Sequence, residues 1–297
     1  MAKQYKASID KATALDFAIR DGQQKFESGY QISGKPLYNN YLSNDDWKRF
    51  IDSMSPLHYA QYNDADGGEL IEKKGRWGLN PPKMASFGSS SRLIYECSKS
   101  IHGFCFEKQL PTRVGHTANL DGYLSSPTED VFVEAKCREI YSSHLNQKIS
   151  LVYKDVYEYI KSENPDFSYE CKPIENELNY MACSFQMNDK YISHFDVKQL
   201  ICHFLGICAN ILKNKANTNV RFTYLIFNPD FDTKFSNPHI SNFKSKILEE
   251  YKETLEEINI FGDFKWLFDA VMDYQSKHLG IPKPQCVFEF ALHDQKS

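Results

Sequence analysis

Residues 117–137 read TANLDGYLSSPTEDVFVEAKC, and no other stretch limits the possible folds as strongly. Side chains along a strand alternate with a period of two. That sets Leu120, Gly122 and Leu124 on one face of a first strand and Asn119, Asp121 and Tyr123 on the other, with turn residues over 125–130. In VFVEAKC, Val131, Val133, Ala135 and Cys137 share one face, and Phe132, Glu134 and Lys136 share the other. Pairing the two strands so that their apolar faces coincide brings Asp121 close to Glu134 and Lys136. Two carboxylates held close repel, and a hard divalent cation such as Mg²⁺ relieves that repulsion while leaving positions for phosphate oxygens. By pattern alone, a Glu134–Lys136 pair on an exposed strand face, with Asp121 at the surface beside a turn, explains the same residues equally well.

Upstream, Ser89, Ser90 and Ser91 offer N-caps for a helix through RLIYECSKSI that closes at Gly103, with Leu93, Ile94, Cys97 and Ile101 as its buried stripe. Arg92 and Glu96 share its flank at the spacing of an ordinary helical ion pair. FCFEKQL at 104–110 reads as a strand ended by Pro111, with Glu107 and Lys108 on opposite faces. Downstream, Val197, Leu200, Ile201, Phe204, Leu205, Cys208, Ile211 and Leu212 recur at helical spacing over 196–213. Gln199, His203, Gly206 and Asn210 line the opposite side. A solvated face is the ordinary reading of such a line, but one that is uncharged and has glycine at its middle suits a backbone lying close. VRFTYLIF at 220–227 supplies the apolar strand after it.

An Asp late in one strand, E-x-K on the next, a Glu-bearing helix before and a Gln-bearing helix after resemble the PD-(D/E)XK nuclease superfamily, the restriction-endonuclease-like fold. The likeness covers roughly the middle half of the chain. E-x-K alone is common by chance; LDGYL followed by VFVEAKC, in the order helix-strand-strand-strand-helix-strand, is much less so. The Pro of the superfamily's name is absent before Asp121. The expected fold is α/β, a restriction-endonuclease-like core over 86–230 with a central mixed β-sheet flanked by helices and an insertion near 140–190. A helical N-terminal region over 1–85 and a helical C-terminal extension over 231–297 complete it. The resemblance implies that Asp121, Glu134 and the backbone carbonyl of Ala135 hold Mg²⁺, for which Mn²⁺ substitutes, with Glu96 positioning that metal or a second one. Glu107 is a weaker candidate than Glu96. Lys136 would sit beside the attacking water or the developing charge, and Gln199 would orient water or phosphate, giving a 5′-phosphate and a 3′-hydroxyl. The implied partner is DNA, double-stranded first of all, with single strands and RNA left open, and cutting of both strands would favour a homodimer with one site per chain. The rival is an inactive nuclease fold that only binds nucleic acid or a protein. A glycoside hydrolase would separate its two acids by a sugar-sized gap without a neighbouring lysine, so Lys136 argues against it.

The 297 residues carry a net charge of −4, so no global basic field announces nucleic acid and any contact must come from local patches. Lys73, Lys74 and Arg76 flank Gly75 with Trp77 next, which suits a phosphate-contacting arm as well as a solvated loop. Arg92 and His203 are further candidates for the DNA backbone. The acidic run at 64–69 lacks the spacing of a calcium loop and reads as a turn. The eight cysteines show no metal spacing and read as reduced, buried thiols. The polar N-terminus and the absence of any stretch approaching a membrane span lead us to expect a cytoplasmic protein. Helical character is also expected over 12–26, after Ser43, over 149–160, near 244–258 and over 264–274, and the Pro- and acid-rich 163–179 reads as an excursion from the core.

Overall fold

The computed structural model describes residues 28–32, 38–65, 69–75, 78–137, 144–214, 218–228 and 243–296. The helix expected over 12–26 and the basic residue Arg76 lie outside them. Two antiparallel hairpins precede the main sheet, β1 (Ser28–Tyr30) with β2 (Tyr38–Leu42) and β3 (Lys73–Gly75) with β4 (Gly78–Asn80). Between them α1 (Asn44–Ser53) starts where Ser43 predicts, its hydroxyl accepting the Asp46 N–H at 3.1 Å, and buries Trp47 and Phe50. α2 (Pro56–Asn63) begins on proline, whose missing N–H is harmless there. The described part of the N-terminal region is therefore hairpin and helix rather than helical throughout. α3 (Ser90–Ser98) is capped by Ser89 but buries Ser91, Ile94, Tyr95 and Ser98, while Cys97 and Ile101 of the expected stripe are exposed. Tyr95 explains the rotation: its ring packs among Phe50, Tyr62 and Phe106, and the larger aromatic surface takes the core side.

β5 (Cys105–Pro111), β6 (Thr117–Ser125) and β7 (Glu129–Lys136) form an antiparallel meander with Gly122 opposite Val133, so the apolar faces do coincide. Gly122 is required here: a Cβ would lie 2.3 Å from the Phe104 ring. From residue 144 the insertion that follows forms a separate small sheet. β8 (Gln147–Ser150), β9 (Phe167–Pro173) and β11 (Lys190–Ile192) all pair antiparallel with β10 (Tyr180–Met187), and α4 (Lys154–Glu163) packs on it. The helix expected over 149–160 begins later because 147–150 is drawn into pairing with β10. The register sets Cys171 opposite Cys183, and the two form a disulfide, which corrects the reading of all eight cysteines as reduced and buried.

α5 (Val197–Asn214) then crosses back, and β12 (Thr218–Asn228) runs parallel to β7, the connection a parallel pair needs. α6 (Lys244–Phe261) and α7 (Lys265–Leu279) follow, and β13 (Cys286–Lys296) adds in parallel beside β12. The central sheet is thus mixed, in the order β13-β12-β7-β6-β5, with helices packed against it, an α/β architecture. β13 corrects the expectation of a purely helical extension after residue 231. Its Phe288 meets Phe204 of α5 at a ring-centroid distance of 5.4 Å, and Phe204 also meets Phe222 of β12 and Phe268 of α7. α5 has no solvated side at its middle. A Cβ on Gly206 would lie 2.8 Å from the Ala118 Cβ and 3.0 Å from the Leu110 carbonyl oxygen, and on the other side Gln275 of α7 donates to the Leu205 carbonyl at 3.3 Å. Among the described residues no helix is long and apolar enough to cross a membrane.

Candidate functional site

Strand register builds the site. In β5 and β6, Phe106 faces Gly122 and Lys108 faces Leu120, which puts Glu107 opposite Asp121. In β6 and β7, Gly122 faces Val133, and one step further Asp121 is opposite Glu134. Directly opposed residues share a face. Glu107, Asp121 and Glu134 therefore form a row of carboxylates across three adjacent strands. They line a cavity of about 680 Å³ together with Lys136, Gln199 and His203.

β7 is central in its sheet and covered on both faces, so Glu134 and Lys136 are buried, at 3% and 7% exposed. This excludes the alternative of an ion pair on an open strand face. Lys136 Nζ donates to Glu134 Oε1 and to Gln199 Oε1, both at 2.6 Å. A lysine has only donors, so the oxygen of Gln199 faces it and the amide NH₂ is the end turned elsewhere. Gln199 is placed by the start of α5, where its own N–H is capped by Asp196 Oδ1 at 2.9 Å. Asp121 Oδ2 accepts the Ala135 N–H at 2.7 Å, which ties the β6 carboxylate to the β7 backbone. One turn along α5 from Gln199, His203 is 2% exposed and its Nε2 lies 3.7 Å from Glu134 Oε2. That oxygen has no hydrogen-bond partner.

The charges oppose one another. Burial first, and then the charges of Glu134 and Glu107, push the Asp121 carboxyl well above the usual carboxylate range, against the pull of Lys136 and the Ala135 N–H. Glu107 is pushed up to about 7 by burial and by Glu69, with the hydrogen bond from Ser91 working the other way. Ser91 Oγ donates to Glu107 Oε1 at 3.2 Å, and Lys83 Nζ sits 2.7 Å from Glu69 Oε1. Burial lowers the His203 pKa, against the attraction of Glu134, so the imidazole is neutral near pH 7. The cavity lining holds five carboxylates (Glu69, Glu107, Asp121, Glu134, Asp196) against three lysines (Lys83, Lys136, Lys198), a formal excess of two negative charges.

Several expected residues stand elsewhere. Glu96 does not line the cavity; it pairs with Lys99 at 2.7 Å on the outer flank of α3. Helical phase is the reason: Ser91 points to Glu107, and five residues on the chain has turned about 140° further round. Glu107 holds the place expected of Glu96, on a left-handed backbone (φ 52°) uncommon for a residue with a side chain. Arg92 is no surface contact: it is buried, with its guanidinium 5.2 Å from the centre of the Phe87 ring. His203 is likewise part of the cavity floor and not of an outer surface. Lys73 and Lys74 are exposed on β3, outside the lining. Glu69, Ser91 and Asp196 were not anticipated as site residues. Glu69 sits within the acidic run read as a plain turn, and nothing local to it pointed to the sheet. Glu107 was within reach of a register count, since the short 112–116 turn sets Pro111 opposite Thr117 and hence Glu107 opposite Asp121.

The donor set suits a hard divalent cation. Glu134 Oε2 is a buried carboxylate oxygen without a partner, and its neighbours in the row repel it. Among the described residues no three His, Cys, Asp or Glu side chains stand together as a ready metal cage. Mg²⁺ is commonly held by one or two carboxylates plus substrate phosphates, and Asp121 and Glu134 are the two carboxylates here that could serve. At Ala135, the third expected ligand, the contact present is the N–H that holds Asp121. No protein-family model, no curated protein and no solved structure matches the chain.

Proposed function

We propose that this protein is a metal-dependent nuclease that hydrolyses DNA phosphodiester bonds, with β5, β6, β7, α5 and β12 as a restriction-endonuclease-like core. The observation that carries this reading is the buried Glu134 Oε2 without a partner, set in a row of mutually repelling carboxylates with Lys136 alongside. The chain order α3, β5, β6, β7, α5, β12, with E-x-K on the central strand and Gln199 on the helix behind it, supports it further.

Asp121 and Glu134 would hold the cation. When bound, Mg²⁺ polarises the phosphate and lowers the pKa of a water molecule. The remaining work belongs to the protein. Lys136, fixed by Glu134 and Gln199, places an ammonium at the cavity floor where negative charge grows on the phosphate oxygens. The amide NH₂ of Gln199 is turned away from Lys136 and can donate to a phosphate oxygen. The Ala135 N–H keeps Asp121 on the β7 side of the cavity. The water oxygen forms the new P–O bond as the bond to the 3′ oxygen breaks. One water proton ends on that oxygen, leaving a 5′-phosphate and a 3′-hydroxyl.

The test is cleavage of plasmid and of circular single-stranded DNA by the wild type and by Lys136→Ala, with Mg²⁺ and with chelator. The wild type should cut only with Mg²⁺, and the folded variant should lose activity by at least about a hundredfold. Cleavage that persists in chelator, or an unchanged rate in the variant, would sink the reading.

A further inference from the structure

The cavity itself narrows the substrate. We infer that the site takes an unpaired DNA strand, a single-stranded region or a frayed end, in place of the intact duplex that the resemblance implies; the inference rests on the nuclease reading above. Three observations carry it.

The first is depth. Glu134 and Lys136 are 3% and 7% exposed, so a phosphate must descend to the floor to meet them. A duplex presents its phosphates on a wide, stiff cylinder, and moving a nucleotide out of it requires unstacking and unpairing. A single strand bends into a cleft freely. The second is size. About 680 Å³ is the volume of a pocket for a small-molecule ligand, the scale of one or two nucleotides. Segments before the sheet supply Tyr41, Lys83 and the 89–91 serines to its lining, and segments after β7 supply His144, Asp196 and Lys198. The third is charge. Duplex binders neutralise many phosphates with lysine and arginine. Here the lining, among the described residues, has more carboxylates than lysines and no arginine, and Lys83 is already paired with Glu69.

The experiment uses one end-labelled DNA sequence in three forms, single-stranded, blunt duplex and duplex with single-stranded tails, each incubated with the full chain and Mg²⁺. Single strands and tails should be cut at least about tenfold faster than the interior of the blunt duplex. Equal or faster cutting of the blunt duplex would overturn this inference and leave the nuclease reading standing. Failure to cut any form would overturn the nuclease reading, and this inference with it.

Discussion

At the scale of residues, the account turns on which acid completes the row. Glu96 is fixed outside the cavity by its helical phase and its contact with Lys99, whereas Glu107 stands across β5 and β6 from Asp121 and feels Glu69 and Glu134. Glu107→Gln should therefore lower the initial rate of Mg²⁺-dependent cleavage at least about tenfold, and Glu96→Ala should leave it unchanged. Equal effects of the two would contradict the placement. Asp121, Glu134 and Lys136 could be brought together from sequence because strand alternation is a short-range rule, and Gln199 joined them only through the family resemblance. Glu107 needed a register between two strands. Glu69 needed the path of a whole segment, so nothing near it in sequence revealed it.

At the scale of elements, two packing contacts hold the site in place. Gly206 lets α5, which carries Gln199 and His203, lie directly on β5 and β6. Gly206→Ala would force its Cβ within 3.0 Å of the Leu110 carbonyl oxygen, and overpacking of this kind costs about 1–3 kcal/mol. A thermal melt should show that loss; an unchanged melting temperature would mean the contact gives way easily. The glycine within the uncharged side of α5 was the sequence signal for this approach, and the buried faces on both sides of the helix explain why an ordinary two-faced pattern understated its burial.

The second contact leads into α5. Glu257 of α6 accepts the N–H groups of Ser193, His194 and Phe195 at 2.7–2.8 Å, and its charge attracts His194. Burial would raise the Glu257 pKa from 4.5, but His194 and the three N–H groups outweigh it and lower it. The hydrogen bond to Glu257 raises the His194 pKa from 6.5, against burial. The Glu257 contribution is present above pH 4.5 and lost as pH falls through its lowered folded pKa. The His194 contribution is full below pH 6.5 and lost as pH rises through its raised folded pKa. Glu257→Gln should therefore lower the melting temperature most between those two values, with a smaller difference at alkaline pH. A difference that grows on going alkaline would contradict the assignment.

At the scale of the whole molecule, the strands in the middle of the chain and the helices α1, α6 and α7 were legible, and the strands toward either end were not. The alternation in β6 and β7 and the helical spacing in α5 are local patterns that the mixed sheet leaves intact. β13 follows two helices and pairs with residues 68 positions earlier in sequence, so only the parallel pairing with β12 reveals it as part of the sheet. The same holds for Cys171 and Cys183, whose link depends on the register of β9 against β10 and not on any spacing motif. What unites these elements is a sheet whose central strand carries a buried acid, Glu134, with one oxygen unclaimed. Isothermal titration calorimetry with Mn²⁺ on the wild type and on Glu134→Gln, both checked for folding by circular dichroism, tests that centre most directly. The account predicts a binding heat in the wild type that is lost in the variant; no binding by the wild type, or equal binding by both, would contradict it.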